Sequence, residues 1–86
     1  MRIDMERLRH DRQKLDERIR AAKRALRTTW TRPMADVQHE LLALKLEATE
    51  LCILRAWLRG RLHVPDRDRC QRIAEARAPE YAQEAA

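Results

Sequence analysis

Six cations and no acid occupy the stretch from Arg18 to Arg32: Arg18, Arg20, Lys23, Arg24, Arg27 and Arg32. Arg20, Arg24 and Arg27 recur at i, i+4 and i+7, so a helix places them on one outward face with Lys23 adjacent. Trp30 stands beside them. A cationic strip next to an aromatic meets the needs of phosphate contact and base stacking. Arg also presents a planar fork that matches phosphate oxygens better than the point charge of Lys. The candidate nucleic-acid-binding residues are therefore Arg20, Lys23, Arg24, Arg27, Trp30 and Arg32. The segment has no Asn, and its nearest Gln residues lie outside it. Contacts to the backbone of DNA or RNA are therefore expected without sequence reading. The competing reading is a solvated Arg-rich face, partly neutralised by Asp36 and Glu40. Sixteen Arg against three Lys also fits the codon bias of a GC-rich genome.

Other chemistry has little to work with. The chain has no serine, and its one glycine, Gly60, is too few for a phosphate loop. His10, His39 and His63 do not cluster with cysteines or carboxylates at metal-ligand spacing. Cys52 and Cys70 fall in apolar helical settings and read as core. No metal, cofactor or enzymatic activity is expected. Leu8-Arg9 with Leu15-Asp16-Glu17-Arg18-Ile19 resembles the opening of the helical chorismate mutases. In that family a further arginine follows where this chain has Leu26, and the first helix runs on where this chain has Pro33. No residue role is carried over.

The elements that must hold the strip are helical. Ala, Leu, Arg, Glu and Gln dominate, Phe is absent, and aromatics are 3% of the chain. Met1, Met5, Leu8, Arg12, Leu15, Ile19, Ala22 and Leu26 alternate steps of four and three, a coiled-coil seam interrupted at Arg12. Pro33 disfavours helix at the preceding residue and suits the first turn of a new one. Met34, Val37, Leu41, Leu44, Ala48, Leu51, Arg55, Leu58 and Leu62 repeat the rule. Folding the second helix back pairs positions whose numbers add to about 63. Ile19 then meets Leu44, and Met5 meets Leu58. Asp4 falls beside Arg61, Asp16 beside Lys45, and Arg18 beside Glu47. Arg12 and Arg55 sit in the seam, either snorkelling outward or meeting a carboxylate such as Glu50, Asp11 or a partner's acid.

Leu42, Leu46, Ile53 and Trp57 form a second apolar stripe on the same helix, and a helix apolar on two sides is buried on two sides. A short third helix offers Cys70 and Ile73 as cover for Ile53 and Trp57. Those residues do not reach Leu42 and Leu46, so the four-residue stripe is the candidate partner interface.

The expected fold is all-α. It is an antiparallel two-helix coiled-coil hairpin with a short third helix, dimerising through helix two. Residues 1–78 form one domain, with helices at about 2–30, 33–61 and 66–78, and residues 79–86 form a frayed tail. The formal net charge is +5. No apolar run approaches the ~18–20 residues of a membrane span, and the charged start lacks a signal-peptide apolar region. A cytoplasmic homodimer with no membrane role is expected. Two functions follow: a basic, regulatory hairpin that contacts nucleic-acid backbone through its Arg-rich turn, or an adaptor or inhibitor, of the kind carried by phages and mobile elements, that docks a partner protein through the stripe. The protein partner in the second case could present an acidic surface to the arginines.

Overall fold

Asp4 opens the first helix by accepting a 3.0 Å hydrogen bond from the Arg7 backbone N–H. That bond satisfies one of the donors left orphaned at a helix start. In the computed structural model, which describes residues 2–28, 33–62 and 65–83, the chain is all-α. Its helices are α1 (Met5–Arg27), α2 (Met34–Leu58) and α3 (Arg67–Arg77), and a 3₁₀ turn follows at Ala78–Tyr81. Glu6 lies in the first turn of α1 and Arg24 and Arg27 in its last, the arrangement the helix dipole favours. Pro33 precedes α2 with φ −57° and ψ 135°, and Asp36 lies in the first turn.

Helix α2 stops three residues before the expected position 61. Gly60 adopts φ +65°, which an L side chain resists. The Gly60 N–H then reaches Trp57 O at 3.0 Å, and the Arg61 N–H reaches Ala56 O at 2.8 Å. These two bonds make a Schellman end that closes the last carbonyls of the helix. Helix α1 begins at Met5 rather than near residue 2, because the residues before it are engaged elsewhere.

Their partner is the C-terminal segment. The Asp4 N–H donates to Tyr81 O and the Gln83 N–H to Arg2 O, each at 2.7 Å, and Ile3 faces Ala82 in an isolated antiparallel bridge. This corrects the expectation of a frayed tail from residue 79. Pro79 lacks the N–H that an α-helix would use, so the chain tightens into the 3₁₀ turn. Tyr81 is only 3% exposed. Residues 84–86 of the expected tail lie outside the described residues.

The buried residues form one cluster drawn from every element: Leu8, Leu15 and Ala22 of α1, Val37, Leu41, Leu44, Leu51 and Leu54 of α2, then Ala74, Ala78 and Tyr81. Each large aliphatic side chain so buried contributes roughly 1.5–3 kcal/mol of transfer free energy. Helix α2 packs against both α1 and α3, which explains why its apolar residues run around more than one side. The α3 segment is seated by Ala74, Ala78 and Tyr81, whereas Cys70 and Ile73 stay half-exposed. Small side chains let α3 approach α2 closely enough to bring Leu54 to 0% exposure.

Candidate nucleic-acid interface

Carboxylates gather where the C-terminal segment docks. Arg77, on the last turn of α3, donates through Nη1 to Glu47 Oε2 at 2.8 Å and bonds Glu47 Oε1 through Nη2. Its Nη1 also lies 3.5 Å from Glu50 Oε1, and its Nε lies 2.5 Å from Glu80 Oε2. The hydrogen bond from Arg77 holds the Glu47 carboxyl below its ordinary range, against a smaller opposing effect of burial. In return the Arg77 guanidinium is held still more firmly in its charged form. Nearby, Tyr81 Oη donates to Asp11 Oδ2 at 2.6 Å, and the Arg7 guanidinium sits 5.0 Å from the centre of the Tyr81 ring.

These bonds settle the expected α1–α2 charge pairs differently. Glu47 is held by Arg77 rather than Arg18. Neither Asp4–Arg61 nor Asp16–Lys45 forms an ion pair among the described residues. Asp4 serves as the helix cap instead. The carboxylates considered for Arg12 and Arg55 are also engaged elsewhere, Asp11 by Tyr81 and Glu50 by Arg77.

Arg20, Lys23, Arg24 and Arg27 are all exposed on the second half of α1, and none forms an ion pair with a described residue. Trp30 and Arg32, also expected in this interface, lie outside the described residues. Along α1 the sequence of steps Arg9, Arg12, Asp16, Arg20, Lys23, Arg27 keeps to intervals of three and four. Five cations and one acid therefore share one side of the helix. At 1.5 Å per residue that row is ~27 Å long, the span of roughly eight phosphates of one strand at 3.4 Å each.

At the other end of this row the two helices bring arginines together. Arg9, Arg12, Arg55 and Arg59 line one small hollow with Met5 and Leu8, and Arg61 joins Arg12, Arg55 and Arg59 around the next. The polar contact of Arg12 in this region is the Cys52 thiol, 3.8 Å from Nη2. Arg55 has its pKa pushed down, chiefly by Arg59, then by burial, then by Arg12 and Arg9. The sequence alone puts Arg12 and Arg55 in the seam and, with helix two folded back, gathers Arg55, Arg59 and Arg61 beside Arg2, Arg7 and Arg9; the structure adds Arg12 to that group. The signal was available, since the two interruptions of the apolar repeat fall opposite each other when helix two is folded back.

The proposed partner stripe divides. Leu42 and Leu46 are 67% and 63% exposed, while Ile53 and Trp57 pack against the core. A wider hollow of about 500 Å³ runs beside Leu15 and Leu51. Its rim mixes Lys14 and Arg18 with Asp11, Glu17 and Glu47, and the Tyr81 hydroxyl that bonds Asp11 lines it too. Among the described residues no group of three His, Cys, Asp or Glu is placed to hold a metal ion, and no helix is long and apolar enough to cross a membrane. Comparison with protein families, with curated proteins and with solved structures finds no match, so a role for this chain rests on its own residues.

Proposed function

We propose that this chain is a small regulatory binding protein of the cytoplasm, without catalytic activity, that contacts nucleic-acid backbone through the cationic row of α1. The observation that carries the reading is the state of Arg20, Lys23, Arg24 and Arg27. They are exposed and lack ion pairs with described residues, while Glu47, Glu50 and Glu80 are drawn together on Arg77. A row of five cations interrupted by Asp16 alone presents a field that attracts polyanions.

In this reading α1 and α2 form an antiparallel coiled-coil hairpin that stiffens the row. Support comes from the Arg12–Cys52 contact and from the grouping of Met5, Leu8 and Arg9 with Arg55 and Arg59. These partners have numbers that add to about 64, close to the register the apolar repeat expects. The direct test is Arg20→Glu with Arg24→Glu and Arg27→Glu. The triple variant keeps its helix content, because these side chains lie outside the buried cluster, and loses binding to random-sequence duplex and single strands. Unchanged binding by a folded triple variant rules out the row as the contact surface.

The exposure of Leu42 and Leu46 favours a second reading, in which α2 docks a protein partner, a second copy of this chain first of all. Leu42→Glu with Leu46→Glu lowers the mass in solution from dimer to monomer if that copy is the partner. A wild-type chain that is already monomeric removes the homodimer and leaves a foreign protein as the candidate.

A further inference from the structure

Arg12 and Arg55 occupy positions where the apolar repeat calls for leucine, between Leu8 and Leu15 on one helix and Leu51 and Leu58 on the other. Both are half-buried, and their neighbours Leu8 and Leu51 are each 1% exposed. Two guanidiniums in such a place repel each other and lose hydration, costs that a carboxylate ordinarily offsets. Here Asp11 and Glu50 bond Tyr81 and Arg77, and Asp16, one helical turn from Arg12, forms no ion pair with it among the described residues. Arg9 and Arg59 add two more cations to the same hollow, which at about 30 Å³ has the space of one water. The adjoining hollow, lined by Arg12, Arg55, Arg59 and Arg61 and floored by Cys52 and Ala56, has a volume of about 170 Å³. That is the space of roughly five or six waters and ample for one tetrahedral oxyanion.

Four forked donors lining one hollow without an acid are arranged for an anion. We propose that Arg12, Arg55, Arg59 and Arg61 form a phosphate clamp between α1 and the end of α2, occupied by a phosphate ester of a nucleic-acid backbone. Planar guanidiniums from two helices would grip the phosphate oxygens pairwise. Arg12 lies eight residues from Arg20 on the same side of α1, ~12 Å along the helix. A strand lying on the row reaches both. The source of the phosphate rests on the nucleic-acid reading, whereas the site itself does not. The crowding of arginines, with Arg59 the first cause of the lowered Arg55 pKa, is a repulsion that a phosphate between them relieves.

The experiment compares wild type with Arg55→Gln/Arg59→Gln, and with Arg59→Gln alone, a substitution at an exposed position just past α2. Inorganic pyrophosphate is the free-phosphate probe, with chloride at equal ionic strength as control. Pyrophosphate is expected to raise the wild-type Tm above the chloride control and to slow alkylation of Cys52 while leaving Cys70 unaffected. The double variant loses both effects, Arg59→Gln weakens them, and the double variant without ligand melts no lower than wild type. On random-sequence duplex the double variant binds at least tenfold more weakly at low salt. Pyrophosphate that stabilises no more than chloride, or stabilises the variants equally, overturns the clamp. Equal protection of both cysteines does the same. DNA binding that is unchanged in the double variant overturns the clamp while leaving the proposed function intact. Pyrophosphate effects that need the arginines, in a protein that binds no nucleic acid, overturn the backbone as the source and leave a soluble phosphate compound as the ligand.

Discussion

The hydroxyl of Tyr81 donates a 2.6 Å hydrogen bond to the carboxylate of Asp11, joining residues 70 positions apart. This bond fixes the end of the chain against the first third of α1. Burial pushes the Tyr81 pKa from 10.0 up to about 12, with the Asp11 bond adding to the rise and Arg77 and Arg7 opposing it. The folded state thus holds this proton more tightly than the unfolded chain does. The stabilisation is fully present below about pH 10 and is lost as pH rises through about 12. Tyr81→Phe is expected to lower stability by about 1 kcal/mol at neutral pH and to flatten the fall in urea midpoint between pH 10 and 12. An identical alkaline fall in the variant contradicts this account.

Arg77 is the electrostatic counterpart of that bond, holding Glu47, Glu50 and Glu80 from α3. Arg77→Met should destabilise by about 2 kcal/mol, the range for a hydrogen bond between charged groups. Glu47 is 41% exposed, so water recovers part of the loss. Because the Glu47 pKa is lowered on folding, its contribution is present above the ordinary carboxylate range and disappears as pH falls through the lowered value. The variant should therefore lose less stability on acidification than wild type, as read from thermal midpoints across the acidic range.

The antiparallel register predicts which residues crosslink. In a background lacking Cys52 and Cys70, cysteines at positions 19 and 44 should oxidise to a disulfide readily. A pair at 8 and 37 should not, since it stands more than four turns out of register. Crosslinking of the second pair in preference to the first contradicts the hairpin.

The helices were legible because their causes are local. The repeat runs through Leu8, Leu15 and Ala22 at steps of seven, and again through Val37, Leu41, Leu44 and Leu51, all of them buried, whereas its outer members Met5 and Met34 are exposed. Pro33 and Gly60 mark the breaks. Leu54 reads as a residue between two stripes, and its complete burial follows once α3 lies against it. The C-terminal segment was not legible. Its Ala- and Glu-rich composition and Pro79 read as a tail, and nothing in the spacing of Tyr81 announces a partner at Asp11. Long-range bonds of this kind leave no periodic trace. The one hint was that Tyr81 is the sole aromatic after Trp57, a costly side chain to leave in solvent. Among the site residues, the row on α1 was readable from charge and spacing, and the gathering of Arg55, Arg59 and Arg61 beside Arg9 from the folded-back register, while the place of Arg12 in that group required two helices to be placed together.

The central claim is a backbone contact made by charge, and its most direct measurement is the salt dependence of binding. Fluorescence anisotropy of a random-sequence duplex, titrated with wild-type protein over a series of salt concentrations, gives the slope of log K against log salt. Each phosphate neutralised contributes about −0.9 to that slope. Engagement of Arg20, Lys23, Arg24 and Arg27 alone predicts a slope of about −3 to −4, and the added clamp makes it steeper. Similar affinities are expected for unrelated sequences, since phosphates carry no sequence information. A slope near zero contradicts the account. So does an absence of binding at ~50 mM salt and tens of micromolar protein, conditions milder than those in which non-specific binders reach Kd values of roughly 10⁻⁴–10⁻⁶ M.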